Sequence, residues 1–239
     1  MSPAPLAVVV PALNEAQRLP LLLADLAQAP AALLGDWVVV DGGSSDATAR
    51  IASLAGARVV HSPAGRGRQL QRGVEATTAP WLLLLHADCR LPAGWAEPVV
   101  QAMAMPAAAW AFDLAVEGRG LPLRLLELAV RLRSQLRQLP YGDQGLLLPR
   151  SLLQRAGGVP EIPLMEDLRL IQALQPLATI RRLGLPLRVD GRRWRRRGVV
   201  KTALQNARLR RAWRLGQDPE QLAQLYYDKR GGGPGESAA

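Results

Sequence analysis

Cysteine is nearly absent: Cys89 is the single one among 239 residues. No intrachain disulfide or cysteine-cluster metal site can form, and a reducing compartment suffices. Cys89 reads as a small buried residue rather than a nucleophile. Aromatic residues make up 4% of the chain. They are too sparse around its basic segments for a base-stacking track, and zinc spacing and an RNP-like strand are both missing, which argues against nucleic acid as a partner. Long apolar runs are missing too. The uncharged stretch around Leu82 to Leu85 falls far below the ~20 residues of a membrane-spanning helix, leaving peripheral attachment open. No GxGxxG follows the first apolar run, which counts against a nicotinamide dehydrogenase. That run, Leu6 to Val10, has no basic leader and passes straight into PALNE, so it reads as a strand rather than a secretory signal. No internal repeat is evident.

Acid is the scarcer charge. Twenty Asp and Glu against thirty Lys and Arg give a formal net charge of +10, which favours anionic partners such as nucleotides, nucleic acid or an acidic lipid surface, and charge alone does not choose among them. With 49% hydrophobic residues, the chain is long enough to bury one substantial core.

The pattern alternates strand and helix. Strands are expected at Leu6 to Val10, Trp37 to Val40, Arg58 to Val60 and Trp81 to Leu85, with helices at about 16–27, 47–54 and 67–77 between them. Short apolar β-formers separated by helices predict parallel crossover units. The continuous rather than alternating apolar character predicts strands covered on both faces. A helix is then expected over Trp95 to Met103, strands over Ala108 to Val116 and Gly145 to Leu148, and a helix from Asp167 to about Ala173. Between Leu121 and Leu139, Leu125, Leu128, Leu132, Leu136 and Leu139 recur at helical spacing with interspersed arginines. This amphipathic helix can pack on the sheet, lie on a membrane or bind a partner helix. From Arg181 to Arg214 there are thirteen Lys or Arg and one acid, Asp190, read as a solvated face or anion site rather than a separate domain. The final GGGPGESAA, 231–239, is expected to be a flexible tail, leaving 1–230 as one domain.

Two carboxylates stand out. Asp41 ends WVVVDGGSSDAT and Asp88 lies within WLLLLHADCRLP, each just after an apolar run. In an α/β protein these are the carboxyl ends of strands, where phosphate-bearing ligands and their metals are held.

The segments VVVPALNEAQRL, VVVDGGSSDAT, LLHADCRLP, YGDQG and MEDLRL, in this order over residues 5–200, resemble family 2-like glycosyltransferases of the GT-A fold. GRGRQL, PYGDQG and GRRWRRRG further resemble a bacterial subgroup associated with radical-SAM or selenium-related domains. The resemblance implies a GT-A-like α/β fold with a mostly parallel sheet, and metal-dependent sugar transfer from a nucleotide-sugar substrate to an unidentified acceptor. It also implies inversion at the anomeric carbon, a Mg2+ or Mn2+ cofactor and a cytoplasmic enzyme, soluble or peripheral at the inner face of a membrane. The rival readings are a nucleotidyltransferase making a nucleotide sugar, and an inactive nucleotide- or RNA-binding module. Neither explains the ordered Asp41, Asp88 and Asp167 motifs as well. Oligomeric state is not legible.

By the same resemblance, Pro11, Asn14 and Glu15 lie beside the donor nucleotide, although Asn14 can instead cap a helix and Glu15 occupy its first turn. Asp41 contacts the nucleotide base, with Gly43 permitting close approach, or else closes a strand-end Asx turn. Arg66 and Arg68, in a glycine-flanked basic turn, can grip the diphosphate, or simply mark a turn leading into a helix. His86 and Asp88 occupy the place of the metal-binding DxD motif. Asp88 matches its last carboxylate and is the metal ligand, while His86, in place of the usual Asp, contacts ribose or fixes the loop. Tyr141, Gly142, Asp143 and Gln144 match an acceptor-side loop, or a loop that satisfies its own backbone. Asp167 matches the catalytic base and Glu166 orients the acceptor or tunes Asp167, against a pair that merely complements a helix N-terminus. Arg193 and Trp194 resemble the end of the processive QxxRW pattern, with Asp190 in place of Gln, or else form an amphipathic surface.

Overall fold

The computed structural model describes residues 5–228; the expected tail at 231–239 lies outside them. One mixed sheet runs through the protein. Its strands are β1 (Leu6–Ala12), β2 (Leu34–Asp41), β3 (Arg58–His61), β4 (Trp81–Leu84), β5 (Cys89–Arg90), β6 (Ala108–Val116), β7 (Leu146–Pro149) and β8 (Thr179–Val189). They lie in the order β3-β2-β1-β4-β7-β6-β8-β5. The first four are parallel, as the crossover pattern predicts, and β6 and β8 are also parallel, whereas β7 and β5 run antiparallel to their neighbours.

The apolar runs follow from two-sided burial. Along β1, Leu6, Val8 and Val10 enter one core layer while Ala7 and Val9 enter the other, so no position is left for a polar residue. The first layer is filled from α1 (Leu19–Leu26), α4 (Ala96–Met103) and α5 (Leu121–Arg137), and the second from α3 (Arg66–Glu75), α6 (Arg150–Arg155) and α7 (Glu166–Leu174). A fully buried Leu or Val contributes about 1.5–3 kcal/mol. Both faces therefore fix the strand ends from which the site loops leave.

The leucine stripe does not pack on the sheet. The helix α5 forms, but Leu125, Leu128, Leu132 and Leu136 are 47–78% exposed. The face packed on the protein instead presents Leu123, Val130 and Ser134, because the helix also supplies hydrogen bonds inward. Ser134 Oγ donates to Gln144 and Glu127 accepts from the Val116 N–H. Among the described residues, the basic C-terminal segment is built into strand and helices. It contributes β8 to the sheet, then α8 (Arg192–Arg197), α9 (Val199–Arg214) and α10 (Pro219–Asp228), while α2 (Thr48–Leu54) completes the set. Leu164, Leu209, Leu222 and Tyr226 make a small core that seats α9 and α10 against the segment before α7.

Candidate active site

The carboxyl ends of β1 and β4 open onto a cleft of about 430 Å³. Its walls are Pro11 and Ala12 at the end of β1, Leu13 and Glu15 just after it, the basic turn Gly65, Arg66 and Arg68, and His86, Ala87 and Asp88 after β4. Glu161 to Pro163 and α10 close the outer side. A second cavity of about 140 Å³ is lined by Tyr141, Asp143, Asp167, Asp190, Arg193, Trp194, Arg210 and Tyr226. Arg66, His86 and Asp88 line both. The two cavities are thus halves of one site with a shared seam.

The strand ends are held by a residue to which the sequence drew no attention. Gln69, buried at the start of α3, donates to the carbonyls of Ala12 and Val40 at 3.0 and 2.8 Å and accepts from the Gly65 N–H at 3.2 Å. One side chain therefore locks the ends of β1 and β2 to the basic turn. A Cβ at Gly67 would lie 2.1 Å from the Pro160 carbonyl oxygen; glycine is required for α3 to approach α7. That approach lets Arg66 Nε pair with Glu166 at 2.8 Å. Glu166 is 2% exposed, and burial raises its pKa against the pull of Arg66. Its carboxylate faces the guanidinium and so positions Arg66.

Asp88 is also buried. Burial, then the neighbouring carboxylates Glu15 and Asp190, push its pKa up to about 7, with Arg192 opposing. The proximity of Asp190 follows from the sheet: Cys89 pairs with Val189 across the antiparallel β5/β8 ladder, and Asp88 and Asp190 lie one step beyond. Asp190 in turn pairs with Arg18 at 3.0 Å and with Arg192. It is a charge hub, not merely a replacement for glutamine. His86 is half-buried on the seam, and desolvation there, reinforced by Arg66, pushes its imidazole down to about 3 despite Asp167. It is neutral at physiological pH.

On the far side of the seam, Asp167 accepts from the Gly142 N–H at 2.8 Å and from the Leu168 N–H at 2.7 Å. Both are fixed donors, so the carboxylate is oriented by backbone. Asp143 has a buried Oδ1 with no hydrogen-bond partner, and burial raises its pKa. The Tyr141 ring lies under Arg133, 3.6 Å from its centroid, and Arg210, at 5.1 Å. Arg193 is braced by Tyr226 Oη and Asn206 Oδ1, each at 2.7 Å.

The 7–135 segment that carries the first of these loops matches the family described as Glycosyl transferase family 2. The chain belongs to glycosyl transferase family 2. An uncharacterized glycosyltransferase of Mycobacterium tuberculosis (strain ATCC 25618 / H37Rv) is 41% identical over 88 residues, 36% of this chain and 38% of that protein; one of Mycobacterium bovis matches to the same extent. The match thus spans well under half the length of these curated relatives. Among solved structures, S. aureus TarS 1-349 in complex with UDP-GlcNAc superposes with a TM-score of 0.61 at 19% identity, covering 78% of this chain and 58% of that one. Mycobacterium tuberculosis glucosyl-3-phosphoglycerate synthase in complex with Mn2+, uridine diphosphate and phosphoglyceric acid gives a TM-score of 0.52 at 25% identity, covering 76% and 69%. The fold is the GT-A-like α/β nucleotide-sugar transferase fold with a largely parallel sheet.

Within this family 2 framework, the structure gathers Pro11, Glu15, Arg66, Arg68, His86 and Asp88 in the larger half of the site and Tyr141, Asp143, Asp167, Arg193 and Trp194 in the smaller. Six expected residues, Asn14, Asp41, Gly43, Gly142, Gln144 and Glu166, line neither cavity. Asn14 spends its amide oxygen on the Ser45 N–H at 2.8 Å, stapling the loop after β2, and it does not cap α1. Asp41 accepts from the N–H groups of Gly43 and Ser44, both at 3.1 Å, which is the Asx-turn geometry. Gln144 is fully buried, accepting from Ser134 and Arg133 and donating to the Phe112 carbonyl at 2.9 Å. It braces the Tyr141–Gly145 loop from beneath. Cys89 is buried, and its thiol pKa is raised well above the usual value, so it is no nucleophile.

Proposed function

We propose that this family 2 protein transfers a sugar from a nucleotide-sugar donor to an acceptor hydroxyl with inversion, the donor in the larger cavity and the acceptor in the smaller. The observation that carries the proposal is the seam: Arg66, His86 and Asp88 belong to both cavities, so two ligands would meet there. The larger cavity falls in the size range of small-ligand clefts, about 300–1,000 Å³. Arg66 and Arg68 on its wall suit a diphosphate, and Arg66 is held in place by Glu166.

The donor set fits a divalent cation of the Mg2+ or Mn2+ kind. Asp88 sits in a pocket where Glu15 and Asp190 already crowd negative charge, and a cation relieves that crowding. No three His, Cys, Asp or Glu side chains among the described residues converge as a self-sufficient metal cage. One protein carboxylate with the remaining ligands from substrate phosphates is the ordinary mode for such hard ions. When bound through Asp88, the ion would neutralise the nucleoside diphosphate leaving group. The glucosyl-3-phosphoglycerate synthase structure with Mn2+ and uridine diphosphate is consistent with this choice.

In the transfer, the acceptor hydroxyl oxygen forms a bond to the anomeric carbon from the smaller cavity. The bond from that carbon to the diphosphate oxygen breaks on the opposite face. Asp167, oriented by the Gly142 and Leu168 N–H groups, takes the hydroxyl proton. Asp143 offers its unpartnered oxygen to another acceptor hydroxyl. Neutral His86 hydrogen-bonds ribose without adding charge beside the leaving group. Arg193 and Trp194 form the outer acceptor wall. The motifs GRGRQL, PYGDQG and GRRWRRRG support assignment to the radical-SAM- or selenium-domain-associated subgroup as part of this proposal.

The test is release of nucleoside diphosphate from a panel of nucleotide sugars with Mn2+, Mg2+ or chelator. Metal-dependent release from one donor is expected. Release of pyrophosphate from nucleoside triphosphate plus sugar phosphate, with none from any nucleotide sugar, would overturn the proposal.

A further inference from the structure

The outward face of α5 is the largest feature that sugar transfer leaves unused. Residues 121, 125, 128, 132 and 136 fall within a narrow arc at 3.6 residues per turn. All five are leucine, and they are 47–78% exposed. They lie on the side opposite Leu123, Val130 and Ser134, which hold the helix to the protein. From Leu121 to Leu136 the stripe extends about 22 Å at ~1.5 Å per residue. A single contiguous row of leucines of this length is not scattered surface hydrophobicity.

The charge around the stripe has one sign. Arg119 just before the helix and Arg131 on the flank of the stripe are exposed and have no ion-pair partner among the described residues. The helix's single acid, Glu127, is bound inward and to Arg124. The adjoining helix α9, which packs on α5, exposes Val200 and Leu204 near exposed Lys201 and Arg208. We propose that this face docks on an anionic phospholipid bilayer, with the leucines entering the headgroup boundary and the arginines meeting lipid phosphates. No helix among the described residues is long and apolar enough to cross a membrane, so α5 lies in the surface plane. A second copy of the chain fits less well, because pairing two such faces would bring their arginines together.

Docking here would reach the acceptor half of the site directly. On its inward side α5 carries Arg133, which stacks on Tyr141, and Ser134, which holds Gln144 beneath the same loop. The inference does not depend on the identity of the transferred sugar.

The test is flotation of the full chain with phosphatidylcholine vesicles, with and without phosphatidylglycerol, beside a Leu125→Gln/Leu132→Gln variant whose fold is checked by circular dichroism and whose oligomeric state is measured by light scattering. Binding to the anionic vesicles is expected to fall at least about tenfold in the variant and to weaken, yet persist, at high salt. No binding overturns the proposal, as does binding that high salt abolishes and the leucine changes leave unaltered. A dimer in solution that the leucine changes dissolve would overturn it in favour of a second copy.

Discussion

The Gly142 N–H donates to Asp167 Oδ2 at 2.8 Å, joining the YGDQG loop to the ED motif across 25 residues of sequence. A second backbone donor, Leu168 N–H, holds the other oxygen. The geometry is that of a carboxylate aimed by two backbone donors, which suits proton abstraction. Asp167→Asn keeps an oxygen for the Gly142 N–H but removes the base. It is expected to lower kcat about 10²–10⁴-fold while donor affinity, measured by titration calorimetry, stays near that of the parent.

Gly142 itself is constrained. A Cβ there would lie 3.0 Å from His86 Nε2 and 3.3 Å from the Asp167 side chain. Gly142→Ala should displace the base and the seam residue together, lowering kcat roughly 10–100-fold. Its circular dichroism spectrum should stay unchanged.

If Arg66 grips the donor as proposed, the Arg66–Glu166 pair couples stability to donor recognition. Removing the arginine leaves a buried carboxylate without its partner, a change that costs about 3–5 kcal/mol. Arg66→Ala should therefore lower both the denaturation midpoint and donor affinity. Adding Glu166→Gln should restore most of the stability and none of the affinity. Recovery of both would place Arg66 outside the donor site.

The pKa of Asp88 has a thermodynamic consequence for the ligand-free protein. A folded-state value of about 7 against an ordinary 3.8 means that the folded state retains a proton that the unfolded state loses. This contribution to stability is present below pH ~4 and is lost as pH rises through about 7. His86 acts oppositely: its value near 3 removes stability as pH falls below the ordinary histidine range. Comparison with Asp88→Asn isolates the first effect. Without metal or donor, the variant's advantage over the parent should grow from near zero at pH 4 to roughly 2–4 kcal/mol at pH 8. Parallel pH–Tm curves would refute the shift.

The sheet core was legible because β1, β2 and β4 are buried on both faces and so appear as uninterrupted apolar runs, each ending in a turn with polar or charged residues. Asp88 stood out because it follows a strand end, whereas Asp167 was singled out by the family resemblance of MEDLRL rather than by any period. The C-terminal third was harder. In β8, Leu183, Leu185, Leu187 and Val189 do alternate, but Pro186 and flanking arginines mask the period. The β6/β8 register also shifts between Ala111 and Asp113. β5 is two residues long and has no period to read. The juxtaposition of Asp88 and Asp190 depends on that β5/β8 register, so no spacing along the chain could disclose it. Gln69 looked like any helix glutamine, because its three bonds are to backbone atoms of other elements. The leucine spacing of α5 correctly gave the helix but not which side faces the protein, since Ser134 and Glu127 hold it through polar contacts.

The central claim is that one metal-assisted donor site lies against Asp88 and shares its inner wall with the acceptor. The most direct measurement is calorimetric titration of the protein with a nucleoside diphosphate from the best donor, with Mn2+ and with chelator, repeated on Asp88→Ala. The account predicts saturable binding with Mn2+ that chelation or the substitution weakens at least about tenfold. Equal affinity in all of these conditions, with both proteins folded, would contradict it.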